Sequence, residues 1–180
     1  MQVRILKEAG YEEALLGLSL NKNQPVENMP NVLRRLAHMG GGHSKALESI
    51  SVWLDVTATR FWWAEADTYR VGISKQSQST MHTILKRELT QSDFTRPIPP
   101  IILNELNAVI RVGDLLRVKE LLPEGYLQRR VIATNYKTLQ NICQQRRIHK
   151  LPEWWFFVDY LEAMLQHPEL VFDYKKGEKE

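Results

Sequence analysis

The order of hydrophobic and polar residues predicts both strands and helices in the first half of the chain. Apolar and polar residues alternate at residues 3–6 and 50–56, which is the period of a strand with one buried face. Apolar residues recur at helical spacing in four further segments, at residues 11–20, 31–39, 43–49 and 57–69. Asn31 is expected to cap the second of these helices, and the small polar run at residues 70–80 predicts a loop.

Helices dominate the second half of the chain in this prediction. A proline-rich loop precedes a helix at residues 101–118, in which Gly113 is a candidate break. The proline and glycine of the segment LPEG at residues 122–125 predict the end of one helix and the beginning of the next. Two long helices are expected after it, at residues 126–147 and 153–166. Mixed strands and helices indicate an α+β or α/β fold, and periodicity alone does not separate the two.

Length and composition indicate one globular domain over residues 1–180, with residues 171–180 as a solvated tail. Hydrophobic residues make up 43% of the chain and charged residues 25%, a balance that excludes a disordered protein. No apolar run is long enough to span a bilayer, and charge appears too early for a signal peptide. We therefore expect a cytoplasmic protein that does not bind a membrane.

The net charge of +3, with a pI near 9.0, suits an anionic ligand. Basic residues are spread along the chain, with only short clusters such as Arg129-Arg130 and Arg146-Arg147. Such clusters do not resemble a nucleic-acid-binding arm, so nucleic acid is not an expected partner.

Cysteine and tryptophan invite functional interpretations that compete with simple packing. Cys143 is the single cysteine; a helix-packing role is favoured over a nucleophile, and no Cys/His spacing suggests a metal site. Trp62-Trp63 and Trp154-Trp155 could stack on an aromatic ligand, but helical spacing favours packing. Because adjacent residues of a helix point in different directions, one tryptophan of each pair is expected to face a partner subunit.

Three blocks of the sequence between His43 and Arg146 carry short polar motifs. The first is His43 with Leu47-Glu48, followed by a predicted strand and a helix that ends in Thr68-Tyr69-Arg70. The second is the run SKQSQST at residues 74–80. The third comprises Leu122-Pro123, Asn135-Tyr136-Lys137-Thr138-Leu139, Asn141 and Gln145-Arg146.

In order and spacing, these blocks resemble the flavin-dependent thymidylate synthase family over about two-thirds of the chain. The family has Arg-His-Arg at the end of the first block and Ser-x-Asn-Glu-x-Ser-x-Arg-Tyr in the second. In the third it has Leu-Pro, Asn-Ala-Arg-Ser-Leu, Asn and Leu-Arg. The resemblance implies an α+β fold with an antiparallel or mixed sheet flanked by long helices. It also implies a homotetramer with active sites between subunits, from a bacterium or bacteriophage.

The activity implied by the resemblance is the reductive methylation of dUMP or a related pyrimidine nucleotide. Methylenetetrahydrofolate supplies the carbon, FAD carries the hydride and NADPH reduces the flavin. The protein then needs no nucleophile, only donors for phosphate and pyrimidine oxygens, and a guanidinium suits that task.

The resemblance also assigns roles to individual residues. Arg146 falls on the arginine that holds and activates the uracil and is the expected catalytic residue; the alternative is a solvated basic helix end. The residues implied to contact the flavin are His43, Arg70, Asn135, Asn141 and Lys150. The residues implied to bind the substrate are Glu65, Gln78, Ser79, Thr80, Lys119 and Arg146. Backbone N–H groups of the loop around Ser79 suit a phosphate, and a plain flexible loop is an equal alternative.

The chain departs from the family at several signature positions. Thr68 and Tyr69 replace an Arg and a His, Met81 replaces a phosphate-binding Arg, and Ser77 replaces a Glu. Glu65 replaces a Gln, and a carboxylate at that position suits an amino-bearing base such as cytosine, because it accepts from N–H and cannot donate to a carbonyl. Two functions therefore stay open. We favour an enzyme of this type over a catalytically silent relative that acts as a nucleotide-binding or structural protein.

Overall fold

An antiparallel sheet of four strands lies at the centre of the computed structural model, which describes residues 1–174. The strands are β1 (Gln2–Ala9), β2 (Ser51–Thr59), β3 (Ile73–Ser77) and β4 (Leu127–Asn135). Their order in the sheet is β1-β2-β4-β3, so β2 and β4 are central. These two strands pair along their whole length, from Ser51 opposite Asn135 to Thr59 opposite Leu127.

Helices surround the sheet, and the predicted α+β fold class is confirmed. They are α1 (Tyr11–Lys22), α2 (Met29–Ala37), α3 (Arg60–Ala66), α4 (Thr80–Thr83), α5 (Pro100–Val112), α6 (Leu115–Leu121), α7 (Tyr136–Arg146) and α8 (Pro152–Met164). A 3-10 segment, Gly41–Ser49, precedes β2. Among the helices of residues 1–174, none combines the length and apolar composition that crossing a membrane requires.

The main core lies against one face of the sheet. Every second residue of β2 is buried, and Val52, Leu54, Val56 and Ala58 have no exposed surface. Helices α1, α2, α3, α7 and α8 contribute buried side chains to the same cluster. This arrangement brings Glu65 of α3 within hydrogen-bond distance of Arg146 of α7.

Both tryptophans of α3 belong to this core, which corrects the expectation that one of them faces a partner. Trp62 and Trp63 are each 1% exposed. Trp62 packs on Trp154, and Nε1 of Trp63 donates to the backbone carbonyl of Gln128 at 2.8 Å. Because α3 lies between the sheet and α8, both of its flanks are covered. In α8 the expected split holds, since Trp154 is buried and Trp155 is exposed.

A smaller core forms where α5 and α6 pack on the segment that follows α4. Its buried residues include Ile84, Phe94, Leu106 and Val118. Gly113, with φ of 77°, caps the C-terminal end of α5 and confirms the predicted break between two helices.

The long helix predicted at residues 126–147 is wrong in its first half, which forms β4. Val131, Ile132 and Thr134 are β-branched residues that favour strands. The polar side chains that suggested a helix surface lie instead on the sheet. There, Arg129 bonds Asp55 and Arg130 bonds Asp67.

Other boundaries also differ from the sequence pattern. Helix α2 begins at Met29, so Asn31 lies inside its first turn and does not cap it. β2 continues to Thr59, whose side chain caps α3 by accepting from the N–H of Trp62. The predicted loop at residues 70–80 contains β3, because Ile73 to Ser77 pair with β4 at its free edge.

The solvated tail is shorter than expected. Val171 is 4% exposed and Phe172 is 6% exposed, and both belong to the main core. The expectation of solvation from residue 171 is therefore wrong for these two residues. The charged run at residues 175–180 lies outside the described residues.

Candidate functional site

Arg146, the last residue of α7, is enclosed by aromatic side chains. The Cζ atom of its guanidinium lies 4.8 Å from the ring centre of Trp154 and 5.3 Å from that of Tyr69. Only 17% of its side chain is exposed. Aromatic faces attract a guanidinium and restrict its motion. The interpretation of Arg146 as a solvated helix end is therefore wrong.

A carboxylate on α3, that of Glu65, anchors this guanidinium. Oε2 of Glu65 accepts hydrogen bonds from Nη1 of Arg146 and from Nε1 of Trp154, each at 2.9 Å. Nε2 of His149 lies 3.2 Å from the same oxygen. Since Nδ1 of His149 accepts from the N–H of Leu151, the proton of a neutral His149 is on Nε2. Three side chains thus converge on one oxygen and hold the carboxylate in a fixed orientation.

Tyr69 connects Arg146 to the polar side chains of α7. Its hydroxyl accepts from Nε of Arg146 at 2.8 Å and donates to Oε1 of Gln145 at 2.9 Å. Nε2 of Gln145 then donates to Oδ1 of Asn141 at 3.0 Å. Asn141, a predicted flavin contact, therefore belongs to the same hydrogen-bond network as Arg146.

The turn that carries Tyr69 is fixed by charged groups of the sheet. Both carboxylate oxygens of Asp67 accept from Nη1 of Arg130 at 2.9 Å, and Nζ of Lys75 lies 3.3 Å from Asp67. The same ammonium donates to the backbone carbonyl of Tyr69 at 2.9 Å. Because Arg130 is in β4 and Lys75 is in β3, the sheet determines where the ring of Tyr69 lies.

A cleft of about 410 Å³ opens beside this network, between the turn after α3 and the outer face of α7. Tyr69, Arg70 and Asn141 are part of its lining. A cavity of about 610 Å³ adjoins this cleft along α7, and the two spaces together are called the groove. The two spaces share the side chains of Lys137, Gln140 and Gln144. The groove therefore offers more room than a mononucleotide needs.

Two of the five predicted cofactor-binding residues, Arg70 and Asn141, line the cleft directly. His43 is exposed in the 3-10 segment Gly41–Ser49. The next residue, Ser44, accepts a hydrogen bond from Nζ of Lys137 at 2.6 Å. Because Lys137 lines the cleft, the neighbouring residue His43 lies near its edge, although His43 is not part of the lining.

The other two predicted cofactor residues have different positions. Oδ1 of Asn135 accepts from the N–H of Thr138 at 2.9 Å and so caps α7. Gly72, with φ of 67°, approaches this cap so closely that a Cβ would lie 2.3 Å from Oγ1 of Thr138. Only glycine permits β3 to start there. Lys150 is exposed in the segment between α7 and α8 and is outside the lining of the cleft.

The remaining predicted substrate residues form a second group beyond the far end of β3. Nζ of Lys119 donates to Oγ1 of Thr80 at 2.9 Å. The backbone N–H of Gln78 donates to the carbonyl of Arg129 at 2.9 Å. That N–H is therefore used by the sheet, and the expectation that it faces a phosphate is wrong.

Arg70 precedes β3 and Ser79 follows it, so the two residues lie beyond opposite ends of a strand of five residues. At about 3.3 Å per residue, the strand is roughly 16 Å long. The group of Gln78, Ser79, Thr80 and Lys119 does not line the cleft beside Arg70. Within one chain, the predicted substrate residues are thus divided between two places.

Cys143 packs inside α7, as the sequence predicts. It is 2% exposed, and burial raises the pKa of its thiol to about 12. The thiol is therefore protonated at neutral pH. Because the thiolate is the nucleophilic form, burial and the raised pKa favour a packing role for Cys143 over a nucleophilic one.

Sequence patterns do not identify three of the side chains that contact Arg146 or its partner Glu65. Tyr69 is visible only as a departure from the family, Trp154 only as a core residue, and His149 has no assigned role. Tyr69 is 77 positions from Arg146, and Trp154 is 89 positions from Glu65, so no local spacing rule connects them. The one available signal is the indole N–H of a buried tryptophan, which usually has a partner.

Comparison with known proteins gives the same fold. No protein-family model and no curated protein matches the chain. Among solved structures, flavin-dependent thymidylate synthase ThyX from Helicobacter pylori, complexed with FAD and dUMP, superimposes with a TM-score of 0.82 at 17% sequence identity. The match covers 96% of this chain and 99% of that one. A second structure of ThyX from the same organism, also with FAD and dUMP, gives a TM-score of 0.81 at 16% identity and covers 96% of this chain and 98% of that one. The chain therefore has the fold of ThyX.

Proposed function

We propose that this chain is a flavin-dependent enzyme of the thymidylate synthase type, which binds a pyrimidine deoxynucleotide at Arg146 and methylates its base. One observation carries the proposal. Arg146 is held by Glu65, Tyr69 and Trp154 in a fixed orientation, next to Tyr69, which lines the cleft, and it keeps further N–H groups on Nη1 and Nη2. Such a side chain is preorganised to donate hydrogen bonds to a base.

The groove along α7 fits FAD in size and in chemistry. Arg70 and Lys137 offer positive charge for phosphates, and Asn141 offers an amide for ring heteroatoms. Asn135 retains its Nδ2 group after capping α7. In the sequence, His43 lies before these residues and Lys150 lies after them. When bound, FAD would supply the hydride for the reaction, with NADPH as reductant and methylenetetrahydrofolate as carbon donor.

The protein side chains then bind and orient, and none is required to attack the base. Arg146 donates to the pyrimidine and draws electron density from it. Glu65 fixes the guanidinium, and Tyr69 keeps it in line with Gln145 and Asn141. The protonated thiol of Cys143 is consistent with a reaction that needs no cysteine nucleophile.

The division of the substrate residues supports an oligomeric enzyme. We place the phosphate of the nucleotide near Ser79, Thr80 and Lys119, at the opposite end of β3 from Arg70. A second copy of the chain would bring this group to the Arg146 of its partner. Exposed aromatic residues of α8, Trp155 at 46% and Phe156 at 48%, offer surface for such contacts. We propose a homotetramer in the cytoplasm.

A catalytically silent, nucleotide-binding relative is the second candidate. Met81 is 55% exposed at a position where the resembled family has a phosphate-binding Arg. Loss of that guanidinium removes a hydrogen bond to a charged group, worth roughly 1.5–3 kcal/mol. In this candidate the fold and the Arg146 network persist, and turnover does not.

Absorption spectroscopy and turnover distinguish the candidates. The purified protein is expected to be yellow, or to become so with added FAD, and to oxidise NADPH faster when a pyrimidine deoxynucleotide is present. Arg146→Ala is expected to abolish the nucleotide effect, whereas Arg111→Ala, at an exposed ion pair on α5, leaves it unchanged. A protein that takes up neither FAD nor nucleotide refutes the proposal, and binding without turnover supports the silent relative.

Mixed oligomers test the shared site. Light scattering is expected to give the mass of a tetramer. Arg146→Ala and Lys119→Ala should each be inactive alone, yet tetramers assembled from both variants should recover part of the activity. Recovery follows because some sites take an intact Arg146 from one chain and an intact Lys119 from another. A monomer in solution, or mixed oligomers without activity, contradicts this arrangement.

A further inference from the structure

The Glu65–Arg146 pair retains hydrogen-bonding groups that the rest of the described chain does not use. Oε2 of Glu65 accepts from Arg146, Trp154 and His149, whereas Oε1 has no hydrogen-bond partner within residues 1–174. Arg146 uses one N–H of Nη1 and that of Nε, which leaves the other N–H groups of Nη1 and Nη2. The side chain of Glu65 is 34% exposed, so a ligand can reach this edge.

We infer that this edge recognises a pyrimidine that carries an amino group, so that the nucleotide bound is a cytosine nucleotide. The inference rests on the proposed function and narrows its substrate. Oε2 of Glu65 is bonded to Nη1 of Arg146, so along the connected atoms the unused groups follow the order acceptor, donor, donor: Oε1 of Glu65, then Nη1 and Nη2 of Arg146. Cytosine presents the complementary order, the N4 amino group as donor, then N3 and O2 as acceptors.

Uracil does not match this order. It presents O4 as acceptor, N3–H as donor and O2 as acceptor. In the orientation that suits cytosine, O4 would face Oε1 of Glu65, and two acceptors with no proton between them repel each other. A shifted ring lets N3–H reach Glu65, but it then places only one carbonyl against Arg146. Uracil thus loses at least one hydrogen bond to a charged group.

The carboxylate cannot avoid this clash by turning. Trp154 and His149 hold Oε2 from the side of α8, and Arg146 holds it from α7. Trp154 lies on the buried face of α8 and is 1% exposed. Rotation of Glu65 would break these contacts together. Oε1 is therefore presented in one orientation, which is the condition for selecting one base over another.

Nucleotide binding by isothermal calorimetry, with excess FAD present, tests the inference. The wild-type protein is expected to bind dCMP about tenfold more tightly than dUMP, the effect of one hydrogen bond to a charged group. N4,N4-dimethyl-dCMP, whose amino nitrogen carries no hydrogen, should lose at least about the same factor. Glu65→Gln introduces an amide that can donate to O4, and it should reverse the preference towards dUMP. Glu88→Gln, which removes a carboxylate from an exposed ion pair with Arg111, should leave the preference unchanged.

The outcomes separate this inference from the proposed function. Binding of dUMP at least as tight as that of dCMP overturns the inference and leaves the proposed function intact. A protein that binds none of the nucleotides overturns both. If Glu65→Gln does not fold, the three nucleotides on the wild-type protein still decide, because the dimethyl compound removes the donor from the ligand side.

Discussion

The hydroxyl of Tyr69 lies 2.8 Å from Nε of Arg146, at a position where the resembled family has a histidine. Glu65, which replaces a glutamine of that family, lies 2.9 Å from Nη1 of the same guanidinium. Two departures from the signature therefore meet on one side chain. They support Arg146 from two directions, so both replacements contribute to holding one guanidinium.

Removal of the Tyr69 hydroxyl should weaken nucleotide binding without unfolding the protein. In Tyr69→Phe the ring still covers Arg146, but Nε loses its acceptor and the guanidinium gains freedom. We expect nucleotide affinity to fall about fivefold to tenfold, since one hydrogen bond to a charged group is lost. Calorimetric titration measures this effect. Tyr11→Phe, at a tyrosine that stacks on His167 and lines neither the cleft nor the adjoining cavity, is the control, and equal losses in both variants would contradict the assignment.

The charged cluster of Asp67, Lys75 and Arg130 should control the mobility of Tyr69. Asp67→Asn weakens the contacts to Arg130 and Lys75, and with them the bond from Lys75 to the carbonyl of Tyr69. Asp67 is 47% exposed, so solvent screening keeps the loss in unfolding free energy below about 1 kcal/mol. Hydrogen exchange at residues 67–71 is expected to become faster, whereas Asp159→Asn on the exposed side of α8 should leave it unchanged. Unaltered exchange in Asp67→Asn would show that the turn is held by other contacts.

Cys143 should be unreactive in the folded protein. Burial raises the pKa of its thiol to about 12, so the thiolate is scarce at pH 7 and the sulfur is also shielded. A disulfide reagent such as dithionitrobenzoate is expected to label no thiol in the native state and one thiol per chain in guanidinium chloride. Cys143→Ala should retain NADPH oxidation. Rapid native labelling accompanied by loss of activity would instead indicate a functional thiol.

The sequence predicts most helices of this fold because their signals are local. Gly113 ends α5 as expected, and the alternation that begins at Ile50 correctly indicates β2. The error at residues 126–147 has a non-local cause. Leu127–Asn135 becomes a strand because it lies between β2 and β3, and the residues of this segment alone do not show that pairing.

The candidate site divides in the same way. The position of Arg146 follows from family-like spacing, but its partners come from α3, the turn after it and α8. Trp154 and Glu65 meet because Trp62 packs between the sheet and α8, which is a property of the assembled core. Arg146 could therefore be selected as a candidate from the sequence, whereas its hydrogen-bond network could not.

Acid should selectively weaken the ion pairs that Asp55 of β2 makes with Arg4 of β1 and Arg129 of β4. This carboxylate accepts two hydrogen bonds from Arg129, at 2.7 and 2.6 Å, and one from Arg4 at 3.1 Å. The hydrogen bonds from Arg129, with a smaller contribution from Arg4, lower the pKa of Asp55 below its ordinary value of 3.8, against an opposing effect of burial. A carboxyl group whose pKa is lower in the folded state stabilises that state at pH values above the unfolded pKa. The stabilisation is lost as the pH falls through the folded value.

Asp55→Asn should therefore cost stability at pH 7 and cost less at a pH well below the ordinary value of 3.8. We expect the loss at pH 7 to be about 0.5–1 kcal/mol, because the arginine partners lie at the surface, where solvent screens the ion pairs. Urea denaturation of wild type, Asp55→Asn and Asp159→Asn at both pH values measures the difference. Asp159→Asn should behave as wild type throughout. If Asp55→Asn were equally destabilising at both pH values, the cause would be lost packing or hydrogen bonding at β2 and not the charge of the carboxylate.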